Sequence, residues 1–220
     1  MDWNGDDPPP RKGDLLVRHD EGVADPWSNS CLNPTWGDPE HGYTQGYWLG
    51  ARLLVRHVIE AQRDQDYLAY PIIFLYRHHI ELALKNVIRR APGLIDRPQS
   101  ESETKPLGTH QLDSLWQDLK QILNAITDPS WGKPDAADIE GLDDYIRQLC
   151  ELDPDSFRLR YPRSKKEVPS LVPNMNINLR HFAEMMERLA SWLETLDMAT
   201  YVLEENRTER KVESRNLGCA

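Results

Sequence analysis

The stretch FLYRHHIELALK, residues 74–85, is the feature that most limits how this chain can fold. It carries ionisable side chains inside a run that is otherwise apolar. A helix turns by about 100° per residue, so with Arg77 as origin Glu81 lies at about 40°, Lys85 at about 80° and His78 at about 100°. These residues form one charged stripe, and apolar side chains fill the rest of the circumference. The pattern predicts a central helix packed against more than one neighbour.

Apolar residues also recur at steps of three and four in other segments, which predicts further helices. The first is expected from Thr44 to about Asp64, and the central helix from a first turn containing Pro71 to Arg90. Thr109 is expected to cap a third helix, a fourth begins at about Asp138, and Asn178 caps a fifth that ends at about Asn206. No segment has the pattern of a long strand. The predicted fold is an all-α, up-and-down bundle of about five helices.

The bundle is expected to occupy residues 43–206, between two segments of different composition. Residues 1–42 are rich in Asp, Pro, Gly and Asn, which predicts an irregular N-terminal segment. Residues 207–220 are charged and are expected to form a flexible, frayed tail. The polar stretch 92–108 predicts a long, mobile loop. A chain of 220 residues is long enough for one core, so a single domain is expected.

Composition excludes several classes of protein. The formal net charge of −10 disfavours broad electrostatic binding to nucleic acid or to an anionic membrane. Cys31, Cys150 and Cys219 have no CxxC spacing, which disfavours both a disulfide framework and a zinc site. The longest apolar run is far shorter than the roughly 20 residues that span a bilayer. We therefore expect a cytoplasmic protein without cofactor, metal or membrane association.

Three separated motifs resemble the bacterial HEPN-like helical-bundle superfamily: YPIIFLYRHHIELALK, THQLDSLW and DSFRLRYP, in that order on successive elements. The resemblance covers about residues 44–206. It implies an up-and-down bundle, frequent dimerisation, and association with RNA cleavage or with defence and toxin systems. The catalytic branches of that superfamily carry an Arg and a His separated by four to six residues near the start of a late helix.

That Arg–His spacing occurs here only as Arg52-x4-His57, in the first predicted helix. Side chains five residues apart on a helix point about 140° away from each other, so this pair is expected to be a surface Arg and a boundary His. A different set of residues is therefore considered for catalysis. Metal-free RNA cleavage needs a His to move protons and a cation to hold the phosphate. Arg77, His78 and His110, with Arg160, are candidates for these roles.

The charged stripe also has a purely structural explanation. Arg77 and Glu81 are four residues apart, as are Glu81 and Lys85, so both pairs can form ion pairs along one helix face. The stripe would then fix how the central helix meets the fourth or fifth helix. We expect Arg77, Glu81, His110 and Arg160 to converge in either case. His78 and Glu81 alone do not make a helical metal site, because such sites use more ligands.

The segment between the fourth and fifth helices carries the densest positive charge of the chain. Its candidate binding residues for RNA or a partner are Arg158, Arg160, Tyr161, Arg163, Lys165 and Lys166. Interleaved aromatic and basic residues can contact a phosphate backbone and stack on a base, although such runs also occur in solvated loops. In FRLRYP, residues 157–162, alternation predicts that Phe157, Leu159 and Tyr161 face the bundle and that the arginines face outward or toward Glu81.

Two functions are compatible with these patterns. The preferred prediction is a non-catalytic helical module that binds a partner protein or RNA; a place in a bacterial defence, toxin or stress system, and a homodimer, are implied by the resemblance. The alternative is a metal-independent ribonuclease with a non-standard Arg/His site, with candidate catalytic residues Arg77, His78, Glu81 and His110.

Overall fold

The structure is a computed structural model that describes residues 11–13, 16, 30–32, 38–95 and 108–217. Its contacts divide the chain into two compact units, residues 1–38 and 39–220. All helices, and every residue discussed below as part of a site, belong to the second unit. Most of the predicted irregular segment and residues 96–107 of the predicted mobile loop lie outside the described residues.

The second unit is built from helices: α1 Pro39–Ala61, α2 Gln65–Leu94, α3 Leu112–Ala125, α4 Ala136–Leu152 and α5 Leu179–Leu217. In the described residues the one piece of β structure is an isolated antiparallel bridge between Arg163 and Pro169. The predicted all-α bundle of five helices is therefore confirmed. Over the same residues, none of the helices is both long and apolar enough to cross a membrane.

Helices α1 and α2 both begin before their predicted first residues. The irregular N-terminal segment gives way to α1 at Pro39 rather than at residue 43. Helix α2 starts at Gln65, so Pro71 lies in its second turn and not in its first. A proline there removes the partner of the carbonyl four residues earlier, which belongs to Tyr67. Because Tyr67 is exposed, water can satisfy that carbonyl and the helix tolerates Pro71.

The N-termini of the later helices show which capping predictions hold. Asn178 accepts a hydrogen bond from the His181 N–H at 3.0 Å, as expected of the residue that caps α5. Asp135 caps α4 through the Ala137 N–H, so this helix starts before residue 138. The prediction for Thr109 was wrong: α3 begins at Leu112, its N-cap position is Gln111, and no side chain caps it.

The charged C-terminal segment is helical rather than frayed over most of its length. Helix α5 continues to Leu217, well past residue 206. Two contacts explain the extension. Leu203 is buried in the core, and Arg210 donates to the Asp128 carboxylate at 2.6 Å. Residues 218–220 lie outside the described residues.

Helix α2 is the centre of the bundle, as its apolar circumference predicted. It packs against α1, α3 and α5, while α4 packs against α3. A large part of the core comes from its buried residues Ile72, Tyr76, Ile80, Leu84, Val87 and Ile88. The charged stripe lies on the part of the α2 circumference that these apolar residues leave free. There it is close to the segment before α3 and to the segment after α4.

Candidate functional site

Arg77 joins three segments of the chain from the middle of α2. Its Nη1 donates to Glu81 Oε2 at 3.1 Å, its Nη2 to the His110 carbonyl at 2.7 Å and its Nε to the Asp153 carbonyl at 2.9 Å. The side chain is only 1 % exposed. Because all three nitrogens of the guanidinium donate to the protein and none faces open solvent, Arg77 holds the bundle together and is not placed to bind an external phosphate.

Glu81 is the buried anion of this network. Besides Arg77, it accepts from Lys85 Nζ at 2.8 Å and from His110 Nδ1 at 2.8 Å, while His78 Nδ1 lies 3.9 Å away. Burial by itself would raise the pKa of Glu81. Its contacts with the two histidines and Lys85, together with the charge of Lys85, outweigh burial and hold the pKa of Glu81 well below its usual range.

Asp153 belongs to the same network and was missed by the sequence analysis. It is the residue after α4, is fully buried, and its Oδ1 accepts from the N–H groups of Phe157 and Arg158 at 2.9 and 3.0 Å. Its Oδ2 lies 3.7 Å from Arg77 Nε. Asp153 therefore both shapes the turn that follows α4 and balances the charge of Arg77. In the sequence it is one of two aspartates in the turn DPDS, and only the long-range contact distinguishes it.

His110 lies at the surface end of the network. Because a carboxylate can only accept, the Nδ1 in contact with Glu81 must carry the hydrogen, which leaves Nε2 as the free ring nitrogen. The side chain is 63 % exposed. The predicted exposure of His110 is thus found, but the residue precedes α3 instead of lying within its first turn. His78 is its neighbour across Glu81 and packs edge-on against Tyr47.

Arg160 reaches this group through aromatic rings and not through hydrogen bonds. Its guanidinium lies 5.7 Å from the centre of the Phe74 ring, and that ring stacks on His78 with 5.7 Å between centroids. Arg77, Glu81 and His110 are in direct contact, whereas the rings of Phe74 and His78 lie between Arg160 and Glu81. The expected convergence therefore holds for three residues and is indirect for the fourth.

The segment after α4 displays the candidate binding residues. Arg158, Arg160, Tyr161, Arg163, Lys165 and Lys166 are all exposed. The two lysines occupy the tip of a tight turn closed by Ser164 N–H to the Val168 carbonyl at 2.9 Å. None of the five cations forms an ion pair with a carboxylate among the described residues. Three of them donate instead to main-chain carbonyls, those of Glu151, Ser156 and Glu167. The segment thus carries uncompensated positive charge.

The predicted alternation in FRLRYP is only partly correct. Leu159 is buried and both arginines are exposed, but Tyr161 is about half exposed, at 49 %. Residues 157–161 form a helical turn, in which the N–H of Tyr161 donates to the Phe157 carbonyl at 3.2 Å. Phe157 and Tyr161 therefore stack on each other with 4.7 Å between centroids, instead of alternating with Arg158 and Arg160 as in a strand.

A second polar cluster, also missed by the sequence analysis, centres on Glu187 of α5. Tyr76 O–H donates to Glu187 Oε1 at 2.7 Å and Trp48 Nε1 to Oε2 at 3.2 Å. Burial, followed by the hydrogen bond to Glu187, raises the pKa of Tyr76 above its usual range. His79 lies beside this cluster, buried, with Nδ1 donating to the Thr44 carbonyl at 2.9 Å. Burial lowers the pKa of His79, because it disfavours the charged form of the ring.

Arg52 and His57, the pair with the family's catalytic spacing, have separate partners. Arg52 lies over the Trp48 ring and 3.5 Å from Glu187 Oε1. His57 contacts Asp64 Oδ2 at 2.9 Å in the turn between α1 and α2. The two side chains do not form a common site.

In the part of the chain that the structure describes, no group of three or more His, Cys, Asp and Glu side chains is arranged to hold a metal ion. Cys31 and Cys150 are free thiols, and Cys219 lies outside the described residues.

Compared with protein-family models, with curated proteins and with solved structures, the chain gave no match. The resemblance to the HEPN-like superfamily therefore stays a prediction that rests on the three motifs.

Proposed function

We propose that this chain is a non-catalytic, HEPN-like helical module that binds a partner protein or RNA through the basic segment after α4. The observation that supports it most directly is how the cations are distributed. Arg77 and Lys85, the cations of the charged stripe, are buried, and all three guanidinium nitrogens of Arg77 donate to protein acceptors. The five cations between Arg158 and Lys166 are exposed and have no carboxylate partner in the described residues. Charge placed in this way favours contact with an acidic ligand.

The alternative function, a metal-independent ribonuclease, has one specific observation in its favour. Glu81 contacts Nδ1 of His110 and so leaves Nε2 as the other ring nitrogen of a largely exposed side chain, which is an arrangement that a general base can use. The cation that would hold the phosphate in such a reaction is harder to identify. If Arg77 left its partners, the buried Asp153 carboxylate would lose the cation beside it, and Glu81 would lose one of its cations. Of the candidate cations, Arg160 therefore remains to neutralise a reacting phosphate.

One experiment separates these functions. The purified chain is incubated with a labelled RNA pool of varied sequence, with chelator present, and both cleavage and binding are measured for wild type and for His110→Ala. We expect intact RNA with both proteins. Cleavage by wild type that is lost in a folded His110→Ala variant would establish the ribonuclease and refute the module.

Binding is tested with the same RNA pool and with a pool of short acidic peptides. The variant reverses Lys165 and Lys166 to Glu, and the control reverses Lys133 and Arg188, which are also exposed. We expect at least one pool to bind, with an affinity that only the first variant weakens and that falls as salt is raised. If neither pool binds, or if both variants weaken binding equally, the proposed function is wrong. A bacterial defence or stress context and a homodimer follow from the resemblance alone and stay predictions.

A further inference from the structure

A groove of about 1180 Å³ lies beside the basic segment, between the α1–α2 corner and residues 152–180. Its apolar wall includes Ile59, Tyr70, Ile73, Leu159, Val172 and Met175. Three of these are exposed to an extent unusual for apolar side chains: Tyr70 by 49 %, Val172 by 72 % and Met175 by 50 %. Apolar side chains gathered around one concavity mark a surface that another molecule covers, whereas single exposed ones do not.

The charge of the groove is opposite to that of the whole chain. Arg158, Arg160 and Arg180 line it, and Asp66 is the one carboxylate among its lining residues. Lys165 and Lys166, at the tip of the turn described above, belong to the same segment as Arg158 and Arg160. In a chain of formal net charge −10, this local excess of cations is complementary to an acidic ligand and not to the same groove on a second copy of the chain.

Backbone strain is concentrated around the groove. The non-glycine residues with positive φ in the described part of the chain are Gln62, Asp64, Ser156, Glu167 and Asn174. Two of them, Gln62 and Asn174, line the groove, and the others lie in the same two connecting segments. Left-handed conformations of this kind persist where the surrounding structure enforces them, and they cluster at ligand sites. The connections that form the groove are thus held in conformations unusual for non-glycine residues.

From these features we infer that the groove binds a short segment of a partner protein that carries both apolar and carboxylate side chains. The apolar side chains would cover the wall at Tyr70, Val172 and Met175, and the carboxylates would meet Arg158, Arg160 and Arg180. A protein segment fits better than RNA because most of the wall is aliphatic, and the aromatic residues available for base stacking there are Tyr70 and Tyr161. This inference rests on the proposed function and names the partner class.

The test uses two pools of short random peptides, presented to the immobilised full chain. One pool combines Leu, Phe and Trp with Asp and Glu; the other replaces Asp and Glu by Lys and Arg. Peptides that are retained are synthesised, and their affinities are measured by fluorescence anisotropy. We expect retention from the acidic pool alone. Val172→Asp and Arg180→Glu should each weaken the retained peptides by roughly tenfold or more, because each removes a contact that the peptide makes directly.

The controls place the same changes elsewhere on the surface. Val202→Asp alters a half-exposed valine of α5, and Lys133→Glu alters an exposed lysine before α4. Both should leave peptide affinity unchanged, and circular dichroism should show that all four variants are folded. Retention from neither pool, equal retention from both, or unchanged binding by Val172→Asp would overturn the inference. If the RNA pool binds and the peptides do not, the inference fails while the binding module stands; if the RNA is cut through His110, the module itself fails.

Discussion

Replacing Glu81 by Gln is the most direct test of whether the charged stripe holds the bundle together. The substitution keeps the size and most of the shape of the side chain but removes its negative charge. Arg77 would then retain one nearby carboxylate, that of Asp153 at 3.7 Å from Nε, and Lys85 would lose the carboxylate on which its Nζ rests. Both cations are nearly fully buried, so water cannot replace the lost partner.

The expected loss of stability in Glu81→Gln follows from the burial of the network. Removing one partner of a buried ion pair costs about 3–5 kcal/mol, and we take the lower end because Gln keeps a neutral acceptor. In a domain of this size each kcal/mol shifts the melting temperature by about 2–4 °C, so about 3 kcal/mol corresponds to a fall of about 6–12 °C. The assay is thermal and urea unfolding followed by circular dichroism.

Glu151→Gln is the matched control. Glu151 also accepts from an arginine four residues earlier, Arg147, at 2.6 Å, but both side chains are more than half exposed. The sequence spacing and direction of the two pairs are the same, whereas Glu81 is buried and has the further partners Lys85 and His110. We expect no measurable change in stability for Glu151→Gln. If the two substitutions had equal effects, burial of the network would not be the source of its strength, and the structural explanation of the stripe would be wrong.

The pH dependence gives a second check on the same variant. The pKa of Glu81 is lowered in the folded protein, so its contribution to stability is complete above the pKa of an unfolded Glu, about 4.3, and is lost as the pH falls through the folded pKa. The difference in free energy of unfolding between wild type and Glu81→Gln should therefore shrink as the pH is lowered below about 4.3. A difference that stays constant down to acid pH would contradict the assignment of Glu81 as an ionised partner.

Three further outcomes are expected elsewhere in the bundle. Burial lowers the pKa of His79, so the free energy of unfolding should decrease as the pH is lowered below about 6.5, by at most about 1.4 kcal/mol per pH unit. Urea titrations at successive pH values should show this slope for wild type and not for His79→Gln. Glu187→Ala should cost about 1–2 kcal/mol, since Tyr76 and Trp48 lose their acceptor at a site that water partly reaches; an unchanged urea midpoint would exclude this role. Leu203→Ala should cost about 2–4 kcal/mol if the C-terminal part of α5 packs on the core, whereas a smaller loss would point to an independent helix end.

Periodicity predicted the bundle because each helix shows its buried face in local sequence. The stripe was predicted for the same reason: Arg77, Glu81 and Lys85 are neighbours on one helix, and their i, i+4 contacts need no knowledge of the rest of the fold. Helix ends were harder to predict. Gln65 and Pro39 begin helices ahead of the apolar pattern, and both residues are exposed, so the spacing of apolar residues does not mark these helix starts.

The partners of the stripe could not be found in the same way. Asp153 contacts Arg77 across 76 positions of sequence, and the acceptor at His110 is a main-chain carbonyl, which every residue carries. The helical end of α5 is a similar case, because Arg210 and Asp128 are 82 positions apart. The local sequence pattern predicts that a polar segment is solvated. Only the packed helices show which of its charged side chains contacts another part of the chain.

The three bonds of Arg77 also bear on the order of events in folding. They join Arg77 to residues 4, 33 and 76 positions further along the chain. The two longer contacts can form only when α2 has packed against the segment that precedes α3 and the segment that follows α4. Loop closures of this length are made after local helix formation, so the guanidinium reaches its acceptors late, once the helices have assembled. Loss of these bonds should therefore speed unfolding far more than it slows folding. Arg77 would thus govern how long an assembled bundle lasts before it opens.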